Sequence, residues 1–256
     1  DFDGSNDYIK STKIPALISS SAFTVAGWYK QTTIDQQRLL WGAGISTSYL
    51  NALYTWSDGN MYYDVRNGAA SYARFDYSPF VTAGEWFHIA AIFDGGQASN
   101  TNRLKLYIDG MPASLTFVGT IPTNTPTASM DLLIGTSAVF TPYWLGNIAE
   151  VAVWDAVLST SEVEYIFNTG HPVDLSTNYG RYTKAGNLQS WLNPNTASFD
   201  GSNWSLYDQS GNSNSGSSVN MDGADYVNAS SSLDYPKTTY TTASLNYVYA
   251  DEYSGD

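Results

Sequence analysis

The chain has 256 residues, of which 43% are hydrophobic and only 14% are charged. Chains stay unfolded when low hydrophobicity is combined with high charge, so this composition excludes general disorder and allows at least one sizeable core. The 11 basic and 24 acidic residues give a net charge of −13. Such a surface has no cationic patch for phosphates or anionic lipids, which argues against nucleic acid and membrane partners.

Two residue types limit the chemistry further. Cysteine is absent and only two histidines occur, which excludes disulfides, thiolate catalysis and a histidine-rich metal site. No apolar run approaches the roughly 18 residues of a membrane-spanning helix. The sequence opens at Asp1 in strand-like residues without an initiator methionine or a signal peptide, so we expect a processed, excised or partial chain.

Between residues 20 and 155, short β-branched and aromatic runs alternate with Gly, Asp, Asn and Pro clusters about every ten residues. This spacing is typical of an antiparallel all-β domain. Asp58-Gly59 between two such runs predicts a hairpin, because glycine accepts a positive φ at little cost. The predicted strands cover residues 23–29, 39–41, 53–56, 61–65, 86–93, 104–108, 131–134 and 148–154.

One helix is predicted from Leu158 to Asn168. Ser159 and Glu162 have the spacing of a capping box, and Gly170 serves as the stop. The following segment, from about residue 175 to 256, is rich in Ser, Asn, Tyr and Gly, with weak strand signals at 188–192 and 245–250. We expect a loop-rich extension there.

Several motifs occur in one order along the chain: Phe-Asp-Gly-Ser-Asn-Asp-Tyr-Ile at 2–9, a strand with Trp28, Gly-x-Trp-x-His at 84–88, Leu-x-Leu-Tyr-Ile-Asp-Gly at 104–110, and the strand at 145–154 before the helix. This set resembles the laminin-G-like branch of the concanavalin A-like lectin/glucanase superfamily. The resemblance implies an all-β, two-sheet antiparallel jelly-roll sandwich with one short helix and a loop-rich C-terminal extension.

The predicted division is a jelly-roll domain over residues 1–174 and an extension over 175–256, which packs on the first domain or on a neighbouring subunit. Similar extensions follow such domains in proteins of marine bacteriophages and bacteria. The Asp-Gln-Ser-Gly-Asn motif at 208–212 precedes the first strand in single domains of the family. Here it either begins a truncated second unit or folds back on the first sheet.

Glycoside hydrolysis with retention requires two carboxylates about 5 Å apart. The resemblance implies that a hydrolase would carry them as Glu-x-Asp-x-x-Glu or Glu-x-Asp-x-Glu on one strand, and neither pattern occurs here. His88 lies in a buried-looking strand without a triad motif, so we interpret it as a strand residue. We predict a protein that is not an enzyme.

Calcium is the one cofactor that we expect, because hard cations prefer several oxygen ligands from loops and related domains often bind it. The candidate ligands are Asp3, Asn6 and Asp7 near the first strand, together with Glu150 from the closing strand. The alternative is that these Asp-Gly and Asn-Asp pairs only form turns.

Carbohydrate binding would use exposed aromatic rings, since the apolar faces of sugars stack on Trp and Tyr while polar side chains pair with hydroxyl groups. Two candidate sites follow. The first lies on or beside one hairpin and comprises Tyr49, Trp56, Asp58, Asn60, Tyr62 and Arg66. The second comprises Tyr143 and Trp144. We expect Trp28, Trp86 and Trp154 to lie in the core.

We therefore predict a structural, decoration or adhesion protein of a virion or extracellular assembly, with a lectin-like fold that binds glycans. Its expected location is the virion surface or the extracellular space. Its expected partners are other subunits of the assembly, including copies of itself, and cell-surface glycans. The alternative is a secreted carbohydrate-binding module of a larger bacterial protein, which should bind sugar without the extension.

Overall fold

Two antiparallel sheets form a sandwich in the computed structural model, which describes residues 1–227. The first sheet has the neighbour order β1 (Phe2–Asp3), β13 (Leu145–Trp154), β3 (Ala22–Gln31), β8 (Trp86–Asp94), β9 (Leu104–Ile108) and β10 (Met111–Pro112), with β14 (Leu188–Leu192) also on β13. The predicted jelly-roll sandwich is confirmed.

The second sheet has ten strands. Its order is β11 (Thr116–Val118), β7 (Tyr72–Asp76), β6 (Asn60–Asn67), β5 (Tyr49–Thr55), β4 (Arg38–Ser46), β12 (Leu132–Ile134), β2 (Tyr8–Ser11), β17 (Gly216–Val219), β16 (Trp204–Leu206) and β15 (Ser198–Phe199). Short helices are α1 (Asn100–Arg103) and α2 (Thr160–Phe167), with 3₁₀ turns at Pro15–Leu17, Asn168–Gly170, Ala185–Asn187 and Pro194–Thr196. Within residues 1–227 no helix has the length and apolarity to cross a membrane.

The main core lies between the two sheets and is filled by large rings. Phe23 of β3 packs edge-on against Trp41 of β4, with ring centres 6.5 Å apart, and Trp41 packs in the same manner on Tyr63 of β6. All three side chains are buried. Burial of each such ring stabilises the sandwich by about 1.5–3 kcal/mol relative to exposure.

Helix α2 covers the opposite face of the first sheet and begins with the predicted capping box. The Ser159 N–H donates to Glu162 Oε2 at 2.8 Å, and the Glu162 N–H donates to Ser159 Oγ at 3.3 Å. Asn168 ends the helix in the left-handed conformation, with φ 43°, and Gly170 follows with φ 100°. Glu162 Oε1 also accepts the Thr183 hydroxyl at 2.7 Å, which ties the extension to the helix.

The extension folds back on the sandwich in the part of the chain that the structure describes. β14 pairs with β13, as the strand signal at 188–192 predicts, and β17 pairs with β2 in the second sheet. Asp208 links β14 to the segment just before β17, because its Oδ1 accepts the Trp191 N–H at 2.9 Å and its Oδ2 accepts the Asn214 N–H at 2.8 Å. The motif at 208–212 therefore folds back rather than beginning a second unit. The strand predicted at 245–250 lies outside the described residues.

Candidate functional site

The outer face of the second sheet at β5, β6 and β7 carries aromatic and charged side chains. Tyr62, Asp64 and Arg66 of β6 lie on this face because successive strand side chains point to opposite sides. The strand register places Tyr54 of β5 and Arg74 of β7 beside Tyr62. We call this surface the aromatic platform and define it by Tyr54, Trp56, Tyr62, Tyr72, Phe140, Arg66 and Arg74.

The rings of the platform form one continuous row. Tyr54 and Tyr62 stack with their planes 7° apart and ring centres separated by 5.3 Å, and Tyr62 lies 5.5 Å from Tyr72. Trp56 contacts Tyr54 and Tyr62 at 6.2 and 6.3 Å, and Phe140 contacts Tyr54 at 5.4 Å. Because Trp56 is 39% exposed, the row offers apolar surface to solvent.

A loop that lies on β4 forms one wall of the platform. A Cβ atom at Gly42 would approach the Ser137 Cβ to 2.4 Å, so glycine allows the loop to lie against the strand. Ser137 Oγ accepts the Phe140 N–H at 2.8 Å, which holds Phe140 in the turn beside Tyr54. The loop therefore covers β4 beside the open face of β5, β6 and β7.

The exposed edge of the platform is a network of one arginine, one tyrosine and one aspartate. The Tyr62 hydroxyl donates to Asp58 Oδ2 at 2.8 Å, and Arg74 Nη1 donates to the Tyr62 hydroxyl at 3.2 Å. Burial acts to raise the pKa of Asp58, but hydrogen bonds from Tyr62 and Asn60 outweigh it and lower the pKa below its usual value. Asp58 is therefore an anion at neutral pH.

The inner edge of the platform is a buried ion pair. Arg66 Nη2 lies 2.6 Å from Asp64 Oδ2, and Arg66 Nη1 donates to the Thr47 carbonyl at 3.0 Å. The guanidinium carbon lies 5.9 Å from the Tyr72 ring centre and 6.0 Å from that of Phe140. Burial raises the pKa of Asp64 and Arg66 opposes that rise. Because Asp64 fixes Arg66, the Arg66 guanidinium supports the rings of Tyr72 and Phe140 on their buried side.

Four residues of the first predicted glycan site lie on the platform or at its edge: Trp56, Asp58, Tyr62 and Arg66. Asn60 instead shapes the hairpin turn, with its amide donating to the Asp58 carbonyl at 3.3 Å. Tyr49 is 40% exposed but lies at the other end of β5, opposite Asn67. The structure therefore does not bring Tyr49 to Trp56, Asp58 and Tyr62.

Sequence reasoning missed Tyr54, Tyr72, Arg74 and Phe140. Tyr54, Tyr72 and Arg74 could have been found from alternation, because every second residue of a strand points to the same face and paired residues of neighbouring strands share that face. Tyr72 and Arg74 alternate with the buried Ala73 and Phe75 along β7. Phe140 has no such signal, since it lies in a loop that reaches the platform through tertiary packing.

In the second predicted glycan site the structure contradicts Trp144, while Tyr143 stays a prediction. Trp144 has no exposed surface, packs edge-on against Tyr29 with ring centres 5.6 Å apart, and donates Nε1–H to the Asn147 carbonyl at 3.2 Å. Tyr143 is half-buried beside Tyr8. A ring that fills the core between the sheets cannot stack on a sugar.

Three of the predicted calcium ligands, Asp3, Asn6 and Asp7, lie together in one turn. Asp3 Oδ1 accepts the N–H groups of Ser5 at 2.7 Å and Asn6 at 3.2 Å, and Asp7 Oδ2 accepts the Asp3 N–H at 3.0 Å. These contacts are those of a turn. Among residues 1–227 no group of three His, Cys, Asp or Glu could hold a metal ion.

Residues 199–203 repeat the Phe-Asp-Gly-Ser-Asn of residues 2–6, and this repeat supports the turn interpretation. Asp200 Oδ1 accepts the N–H groups of Ser202 and Asn203, both at 2.8 Å, which repeats the pattern at Asp3. The repeated sequence therefore forms the same kind of turn at Asp3 and at Asp200. Calcium at Asp3, Asn6 and Asp7 stays a prediction, which melting curves with calcium and with a chelator would test.

Glu150 lies apart from that turn, and its predicted place in the calcium site is wrong. Asp3 pairs with Leu145, five residues before Glu150 on β13, which corresponds to roughly 16 Å along a strand. The Glu150 carboxylate instead accepts the Trp191 Nε1–H at 2.7 Å, beneath α2. It lines a cavity of about 10 Å³ together with His88, whose ring lies 4.9 Å from Trp28. Burial lowers the pKa of His88 to about 3, so this histidine is neutral.

A larger concavity of about 170 Å³ lies between β13 and β16, at the side of the sandwich away from the platform. Its described lining is mostly apolar, and it includes Trp86, Trp204 and Leu206. Polar and charged residues also line it, among them Asp1, Lys30 and Asn147.

A family model described as the concanavalin A-like lectin/glucanases superfamily matches residues 3–164. None of the curated proteins compared with the chain matches it in sequence.

Solved structures share the fold. A protein of Bacteroides ovatus, described as carbohydrate-binding, is 14% identical with a TM-score of 0.56 over 85% of this chain and 57% of that one. The enzymatically active domain of tailspike protein 2 of bacteriophage CBA120 is 13% identical with a TM-score of 0.51 over 72% of this chain and 28% of that one. This chain thus matches little more than half of the first protein and under a third of the second.

Proposed function

We propose that this chain, which belongs to the concanavalin A-like lectin/glucanase superfamily, binds carbohydrate on the aromatic platform. The supporting observation is the continuous row of rings from Trp56 through Tyr62 to Tyr72, edged by hydrogen-bonding charged groups. The apolar faces of sugar rings stack on such rows, and Asp58 and Arg74 can pair with hydroxyl groups at the edge.

We propose further that the chain binds without catalysis. A retaining hydrolase needs two carboxylates that reach the glycosidic bond, about 5 Å apart. Asp64 has no exposed surface and is paired with Arg66, so it cannot protonate a leaving group. Asp58 already accepts hydrogen bonds from Tyr62 and Asn60.

The biological setting is adhesion to glycans, either on a virion or extracellular assembly or as a module of a larger secreted protein. A phage tailspike domain and a carbohydrate-binding bacterial protein share the fold, which supports both settings. The pairing of β14 and β17 within this chain's own sheets favours the module, because those strands are not available to a neighbouring subunit. Light scattering tests this preference: a large native assembly would favour the assembly protein.

The glycan site is tested on an oligosaccharide array with the whole chain and with Tyr62→Ala and Trp56→Ala. We expect each substitution to weaken binding by about tenfold, since loss of one stacked ring corresponds to roughly 1.4 kcal/mol. Tyr207→Ala is the matched control, because Tyr207 is also an exposed aromatic residue (52%) but lies outside the platform. Unchanged binding by both platform variants would contradict the proposal.

A further inference from the structure

The charged side chains of the platform cancel one another. Two guanidinium groups, Arg66 and Arg74, lie beside two carboxylates, Asp64 and Asp58. The formal charges of these four side chains therefore sum to zero. This balance bears on which sugars the surface can accept.

Arg66 cannot serve a charged ligand. Its side chain is only 12% exposed, one nitrogen lies 2.6 Å from Asp64, and another donates to the Thr47 carbonyl. Removal of this guanidinium from Asp64 would leave a buried carboxylate unpaired, which is strongly unfavourable. An anionic sugar therefore gains no contact with Arg66.

Arg74 is accessible but shared. Its side chain is 41% exposed, yet Nη1 lies 3.6 Å from Asp58 Oδ2, and the Asp58 side chain is 37% exposed. An anion that reaches Arg74 meets the Asp58 carboxylate at a similar distance, so attraction and repulsion nearly cancel. The net charge of −13 adds a repulsive field at long range.

From this geometry we infer that the aromatic platform selects uncharged sugars and discriminates against sialic acids, uronic acids and sulfated sugars. The inference rests on the proposed function and specifies its ligand class. Rings supply the contact area, while Asp58 and Arg74 pair with hydroxyl groups that carry no charge. Binding is consequently expected to depend little on salt.

The test measures binding of the whole chain to matched pairs of immobilised oligosaccharides. One member of each pair is neutral, and the other is the same oligosaccharide carrying a sialic acid, a uronic acid or a sulfate group. We expect the chain to bind the neutral forms more tightly than the anionic forms. We also expect the affinity for the neutral forms to stay unchanged from about 0.05 to 0.5 M NaCl. Preference for anionic forms that Tyr62→Ala abolishes would overturn the inference and leave the proposed function standing. No binding to any form, or binding that Tyr62→Ala does not alter, would overturn both.

Asp58→Asn tests the charge argument by removing the carboxylate beside Arg74, which is also the acceptor of the Tyr62 hydroxyl. The asparagine oxygen still accepts the Asn60 N–H, so the turn is preserved, but Arg74 loses its counter-charge. We expect the relative affinity for anionic forms to rise about two- to fivefold, as for an exposed charge pair. Asp76→Asn is the matched control, since Asp76 bonds only within its own turn to Ser78. An equal effect of the two substitutions would overturn the inference.

Discussion

Glu150 is a carboxyl group that the fold surrounds with apolar side chains. It lies on β13 with φ 55°, at an irregularity where the pairing with β3 shifts register. Among residues 1–227, only the Trp191 indole donates to its side chain, at 2.7 Å. Burial raises the pKa of Glu150 to about 7, and the bond from Trp191 opposes that rise only in part.

Glu150→Gln is expected to stabilise the protein at neutral pH. The folded chain holds a proton on Glu150 that the unfolded chain releases above its ordinary pKa of 4.5, so the free energy of unfolding falls between about pH 4.5 and 7. Glutamine keeps the acceptor for Trp191 but does not titrate. We expect a gain of about 3 kcal/mol above pH 7 and little difference near pH 4.5, from denaturant titrations at several pH values.

Glu85→Gln is the control for this measurement, because Glu85 is exposed. Its stability should follow that of the unsubstituted chain at every pH. A Glu150→Gln variant with the same pH dependence as the unsubstituted chain would show that Glu150 is ionised in the folded protein.

The extension supplies core side chains as well as strands. Leu192 and Met221 reach the main core, while Leu175, Tyr182 and Trp191 fill the cluster beneath α2. Tyr182 accepts the Trp154 indole N–H at 2.9 Å and donates its hydroxyl to the Leu175 carbonyl at 3.0 Å, so the two segments share one buried network.

A chain cut after residue 174 is therefore expected to lose its cooperative fold. The five buried side chains named above contribute roughly 1.5–3 kcal/mol each, which approaches the roughly 5–15 kcal/mol of a whole domain. The cut also exposes the edge of β2. Thermal melting tests whether chains 1–174 and 1–227 unfold cooperatively, and light scattering tests whether they are monomeric. The longer chain is the control. A monomeric 1–174 chain that melts cooperatively would contradict this expectation.

Local sequence signals predicted the central strands and the capped helix, because these elements follow from alternation, Asp58-Gly59 and the capping box. β17 could not be predicted, since Gly-Ser-Ser-Val has no apolar face and becomes a strand only by pairing with β2. The same limit applies to the site. Trp56 and Trp144 are equivalent as residue types, and tertiary packing alone leaves one exposed and buries the other.

At the scale of the whole molecule, the excess of acidic residues opposes compaction. The chain has 24 acidic and 11 basic residues, and exposed pairs such as Lys10 with Asp131 neutralise only part of that excess. We expect the melting temperature to rise by a few degrees between about 0.01 and 0.3 M NaCl, as salt screens self-repulsion. A matched concentration of sucrose at low salt controls for solvent exclusion. A melting temperature that falls with salt would contradict the expectation.

The pairing of β2 with β17 joins the two ends of the described chain. The Asn220 amide donates to the Asn6 carbonyl across 214 residues, and Ile9 lies opposite Ser218. Loops of this length close slowly, so the pairing predicts late formation of this part of the sheet. During synthesis, β2 must wait with an open edge until nearly all of the rest of the described chain has followed.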